Sequence, residues 1–98
     1  MATYALIYSY VDDAAALDEA RPRHREFLLR LGEQGICLAA GKFAPSEQPG
    51  GLLIFRHDDR DELTDILSRD PFQLEGMVTG AKLIEWTPAV GPVAPDLQ

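Results

Sequence analysis

Cysteine, histidine and tryptophan are all scarce in this chain of 98 residues, which has one cysteine, two histidines and one tryptophan. A single cysteine excludes an intramolecular disulfide and a cysteine-rich zinc site. Cys37 stands in the apolar run Ile36-Cys37-Leu38-Ala39-Ala40 with no activating base beside it, so a buried, inert thiol is expected. No apolar run approaches the roughly 20 residues a helix needs to span a bilayer. The opening MATYALIYSY has neither a basic segment nor a cleavage pattern; it reads as a strand rather than a signal peptide, and a cytoplasmic protein is expected. Positive charge is also in short supply. Nine Lys and Arg face 16 Asp and Glu, a net charge of −7. That balance argues against nucleic acid and anionic membrane surfaces as partners, since both need a basic patch. Gly50-Gly51 alone is too little for a phosphate-binding loop, and no cofactor is expected.

What is present is patterned apolar sequence, at 46% of the chain, enough for one globular domain. Thr3 to Val11 is rich in aromatic and β-branched residues and predicts a strand. Tyr4, Leu6, Tyr8 and Tyr10 fall on one face, and Ala5, Ile7 and Val11 on the other. A helix is expected from about Asp18 or Pro22 to Gln34, stopped by Gly35. Ile36 to Phe43 predicts a second strand, 44–51 a loop, and Leu52 to Arg56 a third strand. A second helix, opened by Asp59 or Asp61, is expected to run to about Asp70, where Pro71 disfavours helical geometry at the residue before it. Met77 to Thr87 predicts the fourth strand. The domain thus spans 1–87, and 88–98, with three prolines, reads as an extended, poorly ordered tail.

The order βαββαβ predicts an α+β, ferredoxin-like fold: four antiparallel strands with two helices on one face. Helices on one side leave the apolar residues of the other uncovered. A second copy of the sheet is the simplest cover, so a homodimer through the open sheet face, a dimeric α/β barrel, is expected.

Two ionisable residues stand where the helical pattern calls for apolar ones. His24 lies four residues after Ala20 and four before Leu28, on the stripe that includes Phe27 and Leu31. Asp70 extends the stripe of Leu63, Ile66 and Leu67. With the end of the first strand defined as the top, the first helix starts there and the second ends there. Both residues therefore belong to one edge of the sheet, with Tyr10-Val11, Gly41-Lys42-Phe43 and Pro71-Phe72. In contact, Asp70 would fix the imidazole tautomer of His24 and leave the other nitrogen as a general base or acid. The bland alternatives are a satisfied core histidine and a helix-ending Asp-Pro turn. His57 falls at the opposite edge as a turn residue, so no metal site is expected. Phe55 and Trp86 read as core or interface aromatics.

Three segments carry a family resemblance: Arg21-Pro22-x-His24, Gly35-x-Cys37-Leu38-x-Ala40-Gly41, and Asp70-Pro71-Phe72-x-x-x-Gly76. In this order and spacing they resemble the YCII-related family, from about Tyr4 to Trp86. The resemblance implies a dimeric α/β barrel of the muconolactone isomerase-like kind and a His–Asp pair in a cleft, here the catalytic candidates His24 and Asp70. One activity known in that family, dehydrochlorination of a chlorinated hydroxyhydroquinone, uses such a pair. Many relatives have proline where this chain has Lys42. Lys42 would set a cation at the pocket mouth, and Arg21, Gly41, Lys42 and Phe72 are the expected substrate-binding residues, for a small and anionic ligand; a solvated strand end is the alternative for Lys42. Arg21 and Arg23 carry the same choice, an anion contact or plain exposure on the first helical turn, and exposure is favoured for Arg23. The expected function is cofactor-independent lyase or isomerase chemistry, including the dehydrochlorinase-like kind. The alternatives are a non-enzymatic dimeric ligand-binding or accessory protein, and a purely structural His–Asp contact.

Overall fold

The elements begin and end where side chains satisfy the backbone. The computed structural model describes residues 1–98. Strand β1 (Ala2–Tyr10) leads into helix α1 (Ala14–Glu33), followed by strands β2 (Cys37–Lys42) and β3 (Gly50–His57), short helices α2 (Arg60–Leu67) and α3 (Pro71–Leu74), and strand β4 (Val78–Trp86). The sheet order is β2-β3-β1-β4, with β1 antiparallel to β3 and β4, and β2 antiparallel to β3. This is the expected ferredoxin-like arrangement. None of the helices is long and apolar enough to cross a membrane.

Helix α1 starts two turns before Pro22. The Asp13 carboxylate accepts the Ala16 N–H at 3.1 Å, and Ala14, Ala15 and Ala16 supply the residue with the strongest helix preference. Pro22 is therefore inside the helix rather than in its first turn. Without an N–H it leaves the Asp18 carbonyl without its usual donor, a defect of about 3 kcal/mol in a helix interior. Burial of Leu17, Ala20, Leu28 and Leu31 opposes that cost. Gly35, at φ +75°, ends the helix. Its N–H donates to the Gly32 carbonyl and that of Ile36 to the Leu31 carbonyl, the paired bonds of a left-handed cap.

The second helical segment is shorter than expected. Asp59 caps α2 by accepting from the Asp61 and Glu62 N–H groups at 2.8 and 3.2 Å. The helix stops at Leu67, and Asp70, extended at φ −58° and ψ 127°, starts α3 instead. Strand β3 also begins earlier than expected, since Gly50 and Gly51 pair with Ser9 and Tyr8. Gly51 is needed there. A Cβ at that position would stand 2.8 Å from Tyr10 Oη and 2.9 Å from the Gly41 carbonyl oxygen, and the latter is backbone that cannot swing away.

Tyr4, Leu6, Tyr8, Leu53, Phe55, Leu63, Leu67 and Phe72 form the core between the sheet and the helices. On the other sheet face the cross-strand register sets Leu52 beside Ile7, Ile54 beside Ala5 beside Ile84, and Thr3 beside Trp86. Residues 88–98 are not an extended tail: Ala94–Leu97 forms a 3-10 turn. The turn returns to the Thr3 end of this face, where Thr3 donates its hydroxyl proton to the Leu97 carbonyl and Arg56 donates to the Asp96 carbonyl at 2.9 Å. These bonds and the buried Ala94 hold the segment there. The chain thus covers one end of its own open face. Ile7, Leu52, Ile84 and Trp86 stay 37–43% exposed on the rest.

Candidate functional site

The top edge brings together the two residues expected there. Helix α1 presents His24 from its buried stripe, and the turn between α2 and α3 presents Asp70. His24 Nδ1 lies 2.8 Å from Asp70 Oδ1 and 3.0 Å from Oδ2. The carboxylate is fully buried and His24 is 7% exposed. Asp70 takes two further donors: the Phe72 N–H to Oδ1 at 2.9 Å, and the Tyr8 hydroxyl to Oδ2 at 3.2 Å. One buried carboxylate thus caps α3, anchors β1 through Tyr8 and orients the imidazole. Burial, and then the charge of Asp70, raise the Tyr8 pKa far above the usual phenol range. Tyr8 therefore remains a hydroxyl donor and cannot share in moving the proton.

Phe72 sets the other positions. Its ring stacks on the imidazole of His24 at 3.9 Å between centroids and 2° between planes. Tyr10 meets the same ring edge-on at 5.1 Å, and the Arg21 guanidinium carbon is 5.6 Å from its centroid. Phe72 itself has no exposed surface. The structure thus puts this expected ligand contact behind the histidine, where it supports the site and does not line it. Around this core, Arg23 forms an exposed clasp between α1 and α3. Its guanidinium donates to Glu75 at 2.8 and 2.6 Å and to Glu19 at 3.2 and 2.7 Å.

A cleft of about 770 Å³ opens between α1 and β2. Arg21, His24, Gly41 and Lys42 line it, as do Tyr10 and Arg25. Asp70 is excluded from it and stands behind His24. With Nδ1 bonded to Asp70, His24 Nε2 makes no hydrogen bond within the protein and is not among its buried unpartnered atoms. The free nitrogen of the pair therefore faces the cleft. The carboxylate accepts from Nδ1–H, so the neutral ring carries its lone pair on Nε2, the arrangement of a general base.

The lower cleft is apolar, with Leu28, Leu29, Leu38 and Leu53 on its walls. Cys37 is half-buried there rather than sealed in the core, and burial pushes its thiol pKa up, away from nucleophilic use. His57 is at the far end of β3, where its Nδ1 accepts the Asp59 N–H at 3.0 Å. The lining residues that sequence reasoning missed as contacts include Arg25, the four leucines and, beside His24, Tyr10. Strand alternation gave it the same face as Tyr8, but not the difference that Tyr8 meets Asp70 while Tyr10 meets open space.

Comparison with known proteins supports this geometry at the level of fold and family. A solved 5-chloro-2-hydroxyhydroquinone dehydrochlorinase from Burkholderia phenoliruptrix AC1100, in complex with 2,5-dihydroxybenzoquinone, superposes with a TM-score of 0.75 at 15% identity, over 89% of this chain and 95% of that one. An antibiotic biosynthesis monooxygenase superposes at 0.59, with 17% identity over 93% of this chain and 100% of the other. SnoaB, a cofactor-independent oxygenase from Streptomyces nogalater, superposes at 0.53, with 14% identity over 92% and 94% of the two chains. No curated protein matches the sequence. The family model of the YCII-related domain matches residues 1–87, the segment that holds the sheet, the helices and the His24–Asp70 pair. The chain belongs to the YCII-related domain family.

Proposed function

We propose that this protein is a cofactor-independent enzyme of the lyase or isomerase kind, in which His24 removes a proton from a small cyclic substrate in the α1–β2 cleft. The observation that carries this reading is the division of labour on one ring: Nδ1 is held by a buried carboxylate and Nε2 is unpartnered at the cleft. A structural contact alone would give no reason for the second nitrogen to open onto a large cleft. In the reaction the substrate C–H bond breaks and its proton passes to Nε2, forming an imidazolium that Asp70 stabilises. The electron pair left on carbon then expels a leaving group such as chloride, or moves within the ring until His24 returns the proton to another carbon. The dehydrochlorinase of similar fold suggests hydroxylated or chlorinated rings as the first substrates to try.

The same reading takes the uncovered apolar patch of Ile7, Leu52, Ile84 and Trp86 as the seat of a second copy. Burying it removes apolar surface from water at roughly 25 cal/mol per Å².

The test is turnover in D2O against a panel of chlorinated and hydroxylated rings and small ring lactones, following deuterium incorporation and chloride release. His24→Gln is expected to slow any active substrate by about 10²–10⁴-fold. A substrate that wild type and His24→Gln process equally overturns the proposal. Saturable binding without turnover across the panel favours the non-enzymatic ligand-binding alternative.

A further inference from the structure

Removing a proton from carbon leaves negative charge that must be held somewhere, and the cleft contains groups suited to hold it. Tyr10 lines the cleft, and its hydroxyl bonds to no other residue and is not among the buried unpartnered atoms. Its side chain is otherwise firmly placed, 8% exposed and edge-on to Phe72. Gly51 keeps space open beside the oxygen, since any larger residue would reach within 2.8 Å of it. Arg21 is adjacent and also incompletely used. Its Nε is buried without a hydrogen-bond partner, and the nearest carboxylate, Asp18, is 4.0 Å away, too far to satisfy it. Nε itself is sealed from the cleft, but no protein group accepts from any Arg21 nitrogen and the side chain is 28% exposed, so its terminal N–H groups are free for an incoming acceptor.

Charge in the cleft agrees with this. In a chain of net charge −7, the lining charges are Arg21, Arg25 and Lys42 against one acid, Glu33. Glu33 is at the opposite end of α1 from Arg21, three helical turns away. The upper end of the cleft is therefore cationic around His24, and the lower end is apolar except for Glu33 at its rim.

We infer that Tyr10 and Arg21 form the oxyanion-binding pair of this site, and that its substrates have an apolar body and one oxygen-bearing end, a ring carbonyl conjugated to the carbon that loses its proton. The inference rests on His24 being the base. When the C–H bond breaks and the proton goes to Nε2, the electron pair moves onto the substrate oxygen and gives an enolate or phenolate. The Tyr10 O–H and an Arg21 N–H donate to that oxygen; neither gives up its proton, and the charge collapses back as the intermediate partitions. Such donors, fixed before reaction in a partly dry site, stabilise charge as it develops. Burial and the charge of Asp70, opposed by Arg21, hold the Tyr10 pKa up at about 12, so the phenol keeps its proton at neutral pH. Phe72 makes the geometry reproducible, because base, phenol and guanidinium all register on one buried ring.

The probe is 4-nitrophenol, whose phenolate mimics the charged intermediate and reports binding by its absorbance, compared with the uncharged 4-nitroanisole of similar shape. Wild type is expected to bind the phenolate at least tenfold more tightly than the anisole. Tyr10→Phe keeps the ring on Phe72 and removes only the hydroxyl. It should weaken phenolate binding about 10–100-fold, the worth of one hydrogen bond to a charged group, and leave anisole binding unchanged. Arg21→Gln should act in the same direction. The inference is overturned if the phenolate shows no saturable binding or no preference over the anisole, or if Tyr10→Phe weakens both ligands equally or neither. Deuterium exchange that still depends on His24 after such a result would leave the general-base reading standing. Exchange indifferent to His24→Gln would remove that reading, whatever the phenolate does.

Discussion

Replacing Asp70 by asparagine tests the centre of the site with almost no change in shape. The amide oxygen can take the position of Oδ1 and still accept the Phe72 N–H, now 2.9 Å away, because asparagine caps helices about as well as aspartate. The amide nitrogen then takes the position of Oδ2 and offers hydrogens where the carboxylate offered lone pairs. It faces His24 Nδ1 at 3.0 Å and the Tyr8 hydroxyl at 3.2 Å. The imidazole can then donate Nδ1–H to the amide oxygen, still 2.8 Å away, or accept the amide N–H by carrying its own proton on Nε2, which removes the lone pair from the cleft. Stability should fall by about 1–3 kcal/mol, the value of hydrogen bonds to a charged group. In a domain of this size each kcal/mol moves the unfolding midpoint by roughly 4–8 °C, so a decrease on the order of 10 °C is expected. Asp70→Ala, which leaves His24 and the Tyr8 hydroxyl without an acceptor in a buried position, should cost more, about 3–5 kcal/mol. The decisive assay is nitrogen-detected NMR of the imidazole. Wild type should show the neutral ring protonated on Nδ1, and Asp70→Asn a mixture of the two tautomers. A wild-type ring protonated on Nε2, or an Asp70→Asn ring with the same tautomer ratio as wild type, would refute the reasoning.

Two further outcomes follow from other parts of the fold. Ile7→Lys places a charge in the middle of the uncovered sheet face and should convert a dimer to a folded monomer in sedimentation equilibrium; a wild-type monomer at micromolar concentration would refute the second copy. Tyr8 and Tyr10 both hold their protons more tightly in the folded chain than a free phenol at 10.0. Their contribution to stability is complete below that value and decreases above it, as the unfolded chain ionises first. For Tyr10 the loss runs from about 10 to about 12. Denaturant midpoints measured across this range should decline, and Tyr8→Phe and Tyr10→Phe together should flatten the decline.

The sequence made the sheet topology and the location of the dyad legible, for separate reasons. Element order alone puts the start of α1 and the end of the second helical segment at the same edge. The spacing from Ala20 to His24 turns the histidine inward, whereas Asp70 reaches the same place as the cap of α3 and not as a continuation of the Leu67 stripe. Distance was not legible, because a contact of 2.8 Å depends on how α1 settles against α3. Capping set several boundaries that composition could not. Asp13 starts α1 and leaves Pro22 in its interior, while Asp70 starts a new helix rather than ending the old one. Phe72 looks like a ligand contact in the motif and is a buried support in the structure. The proline-rich C-terminal segment carries no strong apolar pattern, so its return to Thr3 and Arg56, made largely through backbone carbonyls, left no trace in side-chain identity.

Cys37 gives the cleft a property that has nothing to do with reactivity toward substrate. It is the one thiol in the chain, and it lines the lower end of the cleft beside Gly32, away from the cationic end. The site can therefore be addressed chemically without first engineering it. Its raised pKa means alkylation is slow at neutral pH and accelerates in mild alkali, slow enough to be timed. A molecule seated in the cleft shields the sulfur, so the rate of labelling becomes a gauge of occupancy, and compounds with no chromophore of their own can be ranked in unmodified protein by how well they protect one atom.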